Sequence, residues 1–96
     1  MLPIHIQVKA KDDLKKILMH SVEEWGLERA ERYYDDLTAG IASIADNPQI
    51  GFARDDIKAG YRQLAVEKHA VFYRVTKSKI HIIRILHERM LKSGHL

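Results

Sequence analysis

Residues Tyr61–Met90 read YRQLAVEKHAVFYRVTKSKIHIIRILHERM, the longest run of strand-forming residues in this chain. The run is rich in β-branched and aromatic side chains, and two short polar pairs interrupt it. We read three consecutive strands and two turns, namely Tyr61–Glu67, Ala70–Thr76 and Lys79–His87 with turns at Lys68-His69 and Lys77-Ser78. The run therefore predicts a small antiparallel meander at the centre of the fold.

Both faces of the predicted meander are largely apolar. Successive side chains of a strand point to opposite faces. In the last strand, regular alternation divides the side chains between the two faces. One face carries Ile80, Ile82, Arg84 and Leu86, and the other carries His81, Ile83, Ile85 and His87. In the middle strand, Phe72 and Arg74 lie opposite Val71, Tyr73 and Val75. Strands that are apolar on both sides need cover on both sides.

Before the meander, the spacing of the apolar residues predicts one strand and then two helices. Ile4, Ile6 and Val8 alternate with polar residues, which predicts a strand with one dry face. From Asp12 to Gly26 the apolar residues recur at helical spacing, and the acidic start suits a helix N-terminus. A second helical pattern begins at Leu27. The short connection predicts an antiparallel helical hairpin that can cover one sheet face.

The second helix should end before Pro48, because the position before proline avoids helical angles. We interpret residues 47–60, NPQIGFARDDIKAG, as a connecting loop. The tail after the meander, ERMLKSGHL, is too short for a substantial third helix. The other sheet face is thus expected to keep Ile, Phe or Tyr side chains without cover, which usually marks a binding surface for another chain.

The expected fold class is α+β. An N-terminal strand precedes an antiparallel helical hairpin and a three-stranded antiparallel meander, with the helices packed on one sheet face. A length of 96 residues predicts a single domain over residues 1–96. The absence of cysteine excludes disulfides and thiolate zinc sites and fits a reducing cytoplasm. The opening apolar run is too short and too polar for a signal peptide or a membrane span.

Four residues are candidates for catalysis: Arg62, Arg74, Arg84 and His87. Cleavage of RNA without a metal needs a general acid and base, for which histidine is suited, and guanidinium groups that stabilise the phosphorane charge. The three arginines have the parity to share one face if the strand registers allow it. His87 has the opposite parity, and only a bulge or the strand end would bring it round. We favour the interpretation that these arginines form ion pairs with nearby acidic side chains and are not catalytic.

Metal and cofactor sites are not expected. His81 and His87 share a face in the regular strand but are six residues apart, with no third ligand nearby. The sequence has no Gly-rich phosphate loop and no nucleophile-elbow pattern.

Several segments together resemble the ParE family of the ParE/RelE toxin superfamily. They are IASIADNPQIG at the end of the helical hairpin, Gly60-Tyr61-Arg62, His69 with Phe72-Tyr73-Arg74, and Arg84-Ile85-Leu86-His87 followed by Arg89-Met90. The resemblance covers nearly the whole chain. It implies a toxin of a bacterial type II toxin–antitoxin module, which needs no cofactor and is not an enzyme.

The resemblance also implies the partners. DNA gyrase would be the target, and a ParD-like antitoxin would neutralise the toxin through its C-terminal segment. Operator DNA would be reached only through the antitoxin. Residues implied in toxicity are Arg62, Arg84, His87, Arg89 and Met90. Antitoxin contacts are expected along the uncovered sheet face and the hairpin, at Leu14, Leu18, Trp25, Tyr34, Phe72, Arg74, Ile82 and Arg84.

Two alternatives stay open. The first is a ribosome-dependent mRNA endonuclease of RelE type that uses the four catalytic candidates above. The second is a module that binds an antitoxin and acts on no cellular target.

Overall fold

The computed structural model describes residues 1–93, with side chains as far as Met90. Two α-helices, five β-strands and a short 3₁₀ helix follow one another along the chain. Their order is β1 (Ile4–Ile6), α1 (Val8–Trp25), α2 (Leu27–Asp46), β2 (Phe52–Ala53), β3 (Tyr61–Val66), β4 (His69–Val75), β5 (Ile80–His87) and the 3₁₀ helix Glu88–Ser93. Residues 94–96 of the tail lie outside the described residues. None of the described helices is both long enough and apolar enough to cross a membrane.

The strands form one mixed sheet in the order β1-β5-β4-β3-β2. The meander β3-β4-β5 is antiparallel, as predicted, whereas β1 joins β5 in parallel. This parallel pairing sets His5 directly beside His81. The predicted α+β fold is confirmed, with the two-residue strand β2 as an addition at the far edge.

The helical hairpin packs on one face of the sheet and forms the main core. Gly26 ends α1 with a positive φ of 85°, and its N–H donates to Val22 O at 2.9 Å. Positive φ is a conformation that glycine adopts without steric cost. The buried residues of this core are Ala10, Leu14, Leu37, Ile41 and Ile44 of the helices, with Val71, Tyr73, Ile80, Ile82 and Ile85 of the strands. Helix cover on one face is therefore confirmed.

Gly40 lets α2 approach β3 closely. A Cβ atom at this position would lie 2.5 Å from Cγ1 of Val66, a distance that real contacts do not reach. Any larger residue at position 40 therefore requires a shift of the Val66 side chain or of the helix.

Helix α1 begins four residues earlier than the sequence predicted. Its first residue is Val8, which is 82% exposed, so the expected continuation of the first strand through Val8 is wrong. The strand ends early because the N–H of Gln7 donates to Ile82 O while its carbonyl accepts from Lys11 N–H and starts the helix. Asp12 and Asp13 consequently lie inside α1 and not at its N-terminus.

The loop after α2 is fixed to the core by one buried hydroxyl. Tyr73 Oη donates to Pro48 O at 2.8 Å and accepts from Gly51 N–H at 2.9 Å. The anchored loop continues into β2, which pairs with β3. The sequence predicted a loop at these residues.

Two details of the meander differ from the predicted strands. The first turn is Glu67-Lys68, one residue earlier than expected, and Glu67 has a positive φ of 54°. A bulge then interrupts the pairing of β4 with β5, because Phe72 pairs with Arg84 whereas Tyr73 pairs with Ile82. Ile83 is the extra residue of β5. From there on, the side chains of β5 change faces relative to regular alternation.

Candidate functional site

The centre of the helix-free sheet face is covered by the chain itself. Phe72 and Leu86 are fully buried there, against Ile57 of the loop after β2 and Met90 of the 3₁₀ helix. The prediction that Phe72 lies on an uncovered face is therefore wrong. Ile57 and Met90 lie in short segments without a hydrophobic period, so the sequence pattern did not predict their packing.

One end of the same face stays open and forms a groove of about 730 Å³. The groove lies where β1, β5 and the start of α1 meet, and we call it the basic groove. Val8, Tyr61 and Ile83 supply its apolar surface. Its polar lining consists of His5, Gln7, Lys9, Lys79, His81 and Arg84. No acidic side chain of the described part of the chain lines it.

Arg84 leaves the sheet face and binds helix α1. Its Nε donates to Asp13 Oδ2 at 2.8 Å and its Nη2 to Oδ1 at 3.0 Å, in a bidentate pair. Asp13 Oδ2 also accepts the N–H of Ile85 at 2.9 Å. The Asp13 hydrogen bond raises the pKa of the Arg84 guanidinium above its ordinary value. Asp13 therefore joins α1 to the part of β5 that extends beyond β1.

Arg62 is bound on the other side of the sheet. It pairs across strands with Tyr73, whose side chain lies in the helix-facing core. Its guanidinium donates to the carbonyls of Gly51, at 3.0 Å, and Gln49, at 3.3 Å. Arg62 thus holds the loop after α2.

Arg74 remains on the helix-free face, between Tyr61 of β3 and His81 of β5 in the strand register. Its Nε is buried and has no hydrogen-bond partner among the described residues. A buried donor without an acceptor is destabilising. The Arg74 guanidinium also adds a positive charge to that end of the sheet.

His87 lies on the helix-facing side, in a cluster with His69 and Tyr33. The two imidazoles are 5.2 Å apart and perpendicular, and Tyr33 Oη lies 2.7 Å from His69 Nδ1. Burial, followed by repulsion from His87, lowers the pKa of His69 to about 4. His69 is therefore neutral at physiological pH, and its Nδ1 forms a hydrogen bond with the Tyr33 hydroxyl. His87 Nδ1 accepts the N–H of Arg89 at 3.2 Å.

The four catalytic candidates are not brought together. Arg62 belongs to the helix-facing side by its pairing, Arg74 and Arg84 belong to the other side, and Arg84 turns to Asp13. The expected shared face of the three arginines is wrong because the register pairs Arg62 with Tyr73. Arg84 and His87 both follow the bulge and stay on opposite faces by regular alternation, so the bulge does not assemble the set.

The residues expected to contact an antitoxin divide by exposure. Leu14, Phe72 and Ile82 are buried in the chain's own core and offer no contact surface. Leu18 and Tyr34 are half-buried. Trp25 is 43% exposed and packs on Tyr33 with ring centroids 5.5 Å apart.

Sequence reasoning missed the residues of the basic groove. The alternating pattern places His5 on the polar face of the first strand, and it assigns no function to Lys9, Lys79 or His81. Their proximity follows from the parallel pairing of β1 with β5, which joins segments more than seventy residues apart in sequence. Alternation within one strand carries no information on such pairing. Asp13 was missed because an acid near an expected helix start has a sufficient local explanation.

Among the described residues, no group of three or more His, Asp or Glu side chains has the geometry to hold a metal ion.

Comparison with known proteins assigns the family. Residues 4–92 match the family model described as ParE toxin of the type II toxin–antitoxin system, parDE. The chain is 41% identical over 96 residues to Toxin ParE1 of Caulobacter vibrioides, covering 100% of this chain and 99% of that protein. It is 42% identical over 82 residues to Toxin ParE1 of Mycobacterium tuberculosis, covering 84% of each.

A solved structure has the same fold. It is described as the chromosomal ParDE TA system from P. aeruginosa, and the superposition has a TM-score of 0.80 with 27% sequence identity. It covers 91% of this chain and 96% of that chain. The resemblance inferred from the sequence is confirmed. The chain belongs to the ParE family of toxins of type II toxin–antitoxin systems.

Proposed function

We propose that this toxin inhibits DNA gyrase by binding to it, without chemistry of its own, and that a ParD-like antitoxin neutralises it. The observation that carries the proposal is the separation of the four catalytic candidates. An RNA-cleaving site needs an acid–base group and cations around one phosphate. Here His87 faces the helical hairpin, whereas Arg84 is bound to Asp13. No observation favours the mRNA endonuclease alternative.

Two of the residues implied in toxicity have structural roles. Arg62 is held by loop carbonyls and Arg84 by a carboxylate that is itself largely buried. We therefore propose that the surface that binds gyrase is formed at the end of β5, by His87 and Arg89.

Met90 orients this surface. It packs against Phe72 and Leu86, whereas the neighbouring Arg89 is exposed. A cation on a short helix anchored by a partly buried methionine is presented in a fixed position, and fixed charges contribute to specificity in protein recognition. Met90→Ala should therefore weaken toxicity by releasing the helix and not by removing a contact.

The antitoxin surface must lie on side chains that the fold leaves accessible. We propose that the C-terminal segment of the antitoxin binds the hairpin around Leu18, Trp25 and Tyr34 and reaches Arg74 on the sheet face. The hairpin also exposes the apolar residues Met19, at 54%, and Leu27, at 61%. Exposed apolar surface of this kind can form a protein interface, and an amphipathic helix is a common occupant.

The direct test is DNA supercoiling by purified gyrase in the presence of the purified chain. Supercoiling should stop, and addition of the cognate antitoxin should restore it. Arg89→Glu should weaken inhibition by about tenfold or more, since it replaces an exposed cation by an anion at the proposed contact. Lys77→Glu is the matched control, because Lys77 is exposed in the turn before β5, at the opposite end of that strand. Unchanged supercoiling with the wild-type chain would remove the gyrase proposal.

The antitoxin contact is tested separately. Charge reversal at Arg74 should weaken antitoxin binding, measured by calorimetry, and Trp25→Ala should do the same. Wild-type affinity in both variants would contradict the proposed surface while leaving gyrase inhibition untouched.

We also propose that the toxin acts in the cytoplasm, where gyrase works, and that it contacts operator DNA only through its antitoxin. A gel-shift experiment with operator DNA should show a shift with the toxin–antitoxin complex and none with the toxin alone. A shift by the toxin alone would contradict this.

A further inference from the structure

The 3₁₀ helix that carries Arg89 begins with a histidine cap. His87 is the last residue of β5 and directly precedes Glu88, the first residue of the helix. Its Nδ1 accepts the N–H of Arg89 at 3.2 Å, in the way that an N-cap side chain accepts the N–H of the second helical residue. Asparagine, serine and threonine cap helices with an oxygen that does not titrate. An imidazole nitrogen, in contrast, gains a proton in mild acid.

Two further contacts attach this helix to the sheet. The N–H of Glu88 donates to Lys68 O at 3.1 Å, and Met90 packs against Phe72 and Leu86. The helix is six residues long, and helices of this length are not stable without tertiary contacts. Loss of the cap therefore weakens the attachment of the whole segment.

The cap belongs to a cluster that also touches the backbone attachment. His69 pairs with His87 across the strands, and the two rings are 5.2 Å apart and perpendicular. Tyr33 Oη lies 2.7 Å from His69 Nδ1 and accepts the N–H of Lys68 at 3.2 Å. The carbonyl of the same Lys68 receives the Glu88 N–H. A positive charge in this cluster therefore acts on both hydrogen bonds that hold the start of the helix.

The first proton that enters the cluster goes to His87. Burial, followed by repulsion from His87, lowers the pKa of His69 to about 4. Repulsion between the two rings requires that His87 is already charged when His69 titrates. The other charged groups around the cluster come from the elements packed against it, namely Asp13 of α1, Glu67 and Lys68 of the turn before β4, and Glu88 and Arg89 of the 3₁₀ helix.

We propose that His87 acts as a pH-sensitive cap, whose neutral imidazole holds the 3₁₀ helix in place and whose protonation in mild acid releases it. A protonated Nδ1 is a donor and faces the N–H of Arg89, so the hydrogen bond is lost. The capped form binds this proton less well than the released form, and a fall in pH therefore shifts the equilibrium toward release.

Release would remove the fixed position of Arg89 and Met90. The effect on the helix is a property of the chain alone, whereas an effect on gyrase rests on the function proposed above.

NMR spectroscopy of the full chain at about pH 7.5 and about pH 5.5 tests the cap, because His69 stays neutral at both values. At the higher pH the imidazole signals of His87 should show an unprotonated Nδ1. Protection of the Arg89 N–H from hydrogen exchange, relative to the intrinsic rate at each pH, should fall by about fivefold or more in acid. The Met90 methyl signal should move toward its position in an unfolded chain.

His87→Asn keeps the cap and removes its titration. The side-chain oxygen of asparagine takes up about the position of Nδ1, and asparagine is among the preferred N-cap residues. Arg89 protection in this variant should change by less than about twofold over the same pH range. His87→Ala removes the cap and should show the released signals at both pH values. His20→Asn is the matched control and should respond to pH as wild type does, because His20 is exposed on α1 beside Glu24.

Binding to gyrase at the two pH values separates this inference from the proposed function. Wild-type binding should weaken by about threefold or more in acid relative to binding of His87→Asn, and this ratio removes the pH response of gyrase itself. A chain that does not bind gyrase but shows the NMR changes would support the cap and contradict the proposed target.

Three results would each overturn the inference. They are Arg89 and Met90 signals that do not respond to pH, a response of His87→Asn equal to that of wild type, and wild-type binding that tightens in acid relative to His87→Asn. Circular dichroism checks that the variants are folded.

Discussion

Removal of the Asp13 carboxylate should destabilise the fold far more than removal of its neighbour Asp12. Asp13 accepts two hydrogen bonds from the Arg84 guanidinium, at 2.8 and 3.0 Å, and one from the Ile85 N–H at 2.9 Å. The side chains of the pair are 10% and 20% exposed. Asp12 instead pairs with Lys16 on the helix surface, where both side chains are more than half exposed.

The expected magnitude follows from what each substitution leaves behind. Asp13→Ala takes the carboxylate from a largely buried guanidinium and the acceptor from a backbone N–H. Breaking a buried ion pair costs about 3–5 kcal/mol, and the partial exposure of Arg84 puts the expected loss near the lower end, at about 3 kcal/mol. Asp12→Ala removes an exposed pair worth roughly 0.3–0.5 kcal/mol. Asp13→Asn keeps an acceptor for Ile85 and should lie between the two.

Urea unfolding followed by circular dichroism measures these losses. A domain of this size has a total stability of about 5–15 kcal/mol, so a loss of about 3 kcal/mol is large. With an m-value of about 1.5 kcal/mol/M, the midpoint of Asp13→Ala should fall by roughly 2 M urea. Replacing both partners, Asp13→Ala with Arg84→Leu, should recover part of the loss because no buried charge then lacks its partner.

Equal midpoints for Asp13→Ala and Asp12→Ala would refute this reasoning. Arg84 would then have to be regarded as a surface cation available to a partner, as the family resemblance implied.

Three other predictions concern the packing and the histidine cluster. Tyr73→Phe removes a buried hydroxyl that makes two backbone hydrogen bonds and should lower the free energy of unfolding by about 1–3 kcal/mol. Gly40→Ala should destabilise by about 1–3 kcal/mol because its methyl group meets Val66, and Val66→Ala in the same chain should restore part of the loss. His69 has a pKa of about 4 in the folded chain, whereas the ordinary imidazole value is 6.5. Between these values the unfolded state binds a proton that the folded state does not, so stability should fall by roughly 1–2 kcal/mol as the pH falls from about 6.5 to 4, and His69→Gln should flatten this dependence.

The midpoint of denaturant unfolding measures the change in stability in all three cases. A Tyr73→Phe variant as stable as wild type would contradict the anchoring of the loop after α2. Additive effects of Gly40→Ala and Val66→Ala would contradict their direct contact. A pH dependence that is the same in wild type and His69→Gln would assign it to other groups.

The meander and the helical hairpin were predictable because their signals are local. Strand-forming residues between polar pairs mark β3, β4 and β5, and the helical period from Asp12 onward marks α1, although the helix begins four residues earlier. The one-residue shift of the first turn to Glu67-Lys68 is within what such patterns resolve, since neither turn residue is glycine.

The bulge at Ile83 was not predictable, and its consequences reach the site. One extra residue reverses the faces of the second half of β5, so that Arg84 and Ile82 no longer share a side. In a run of alternating isoleucines, nothing in the composition marks the position where pairing slips. His81 and His87, expected on one face, lie on opposite faces for the same reason.

Contacts between distant segments were equally hidden. Asp13 and Arg84 are 71 residues apart, and each has a plausible local explanation as a helix-start acid or a rim cation. The burial of Phe72 depends on Ile57 and Met90, which come from two segments without hydrophobic period. Family resemblance could supply the fold and the class of partner, but not these pairings.

The central claim is that this chain inhibits gyrase as a stoichiometric binder and not as an enzyme. The decisive measurement is a titration of a fixed amount of gyrase with the purified chain, in which supercoiling is followed over time. A binder should inhibit in proportion to its own concentration, reach its limit near one chain per binding site, and show no further loss with time. Progressive inactivation of gyrase by a small fraction of an equivalent of chain, or full supercoiling with the chain in excess, would contradict the claim.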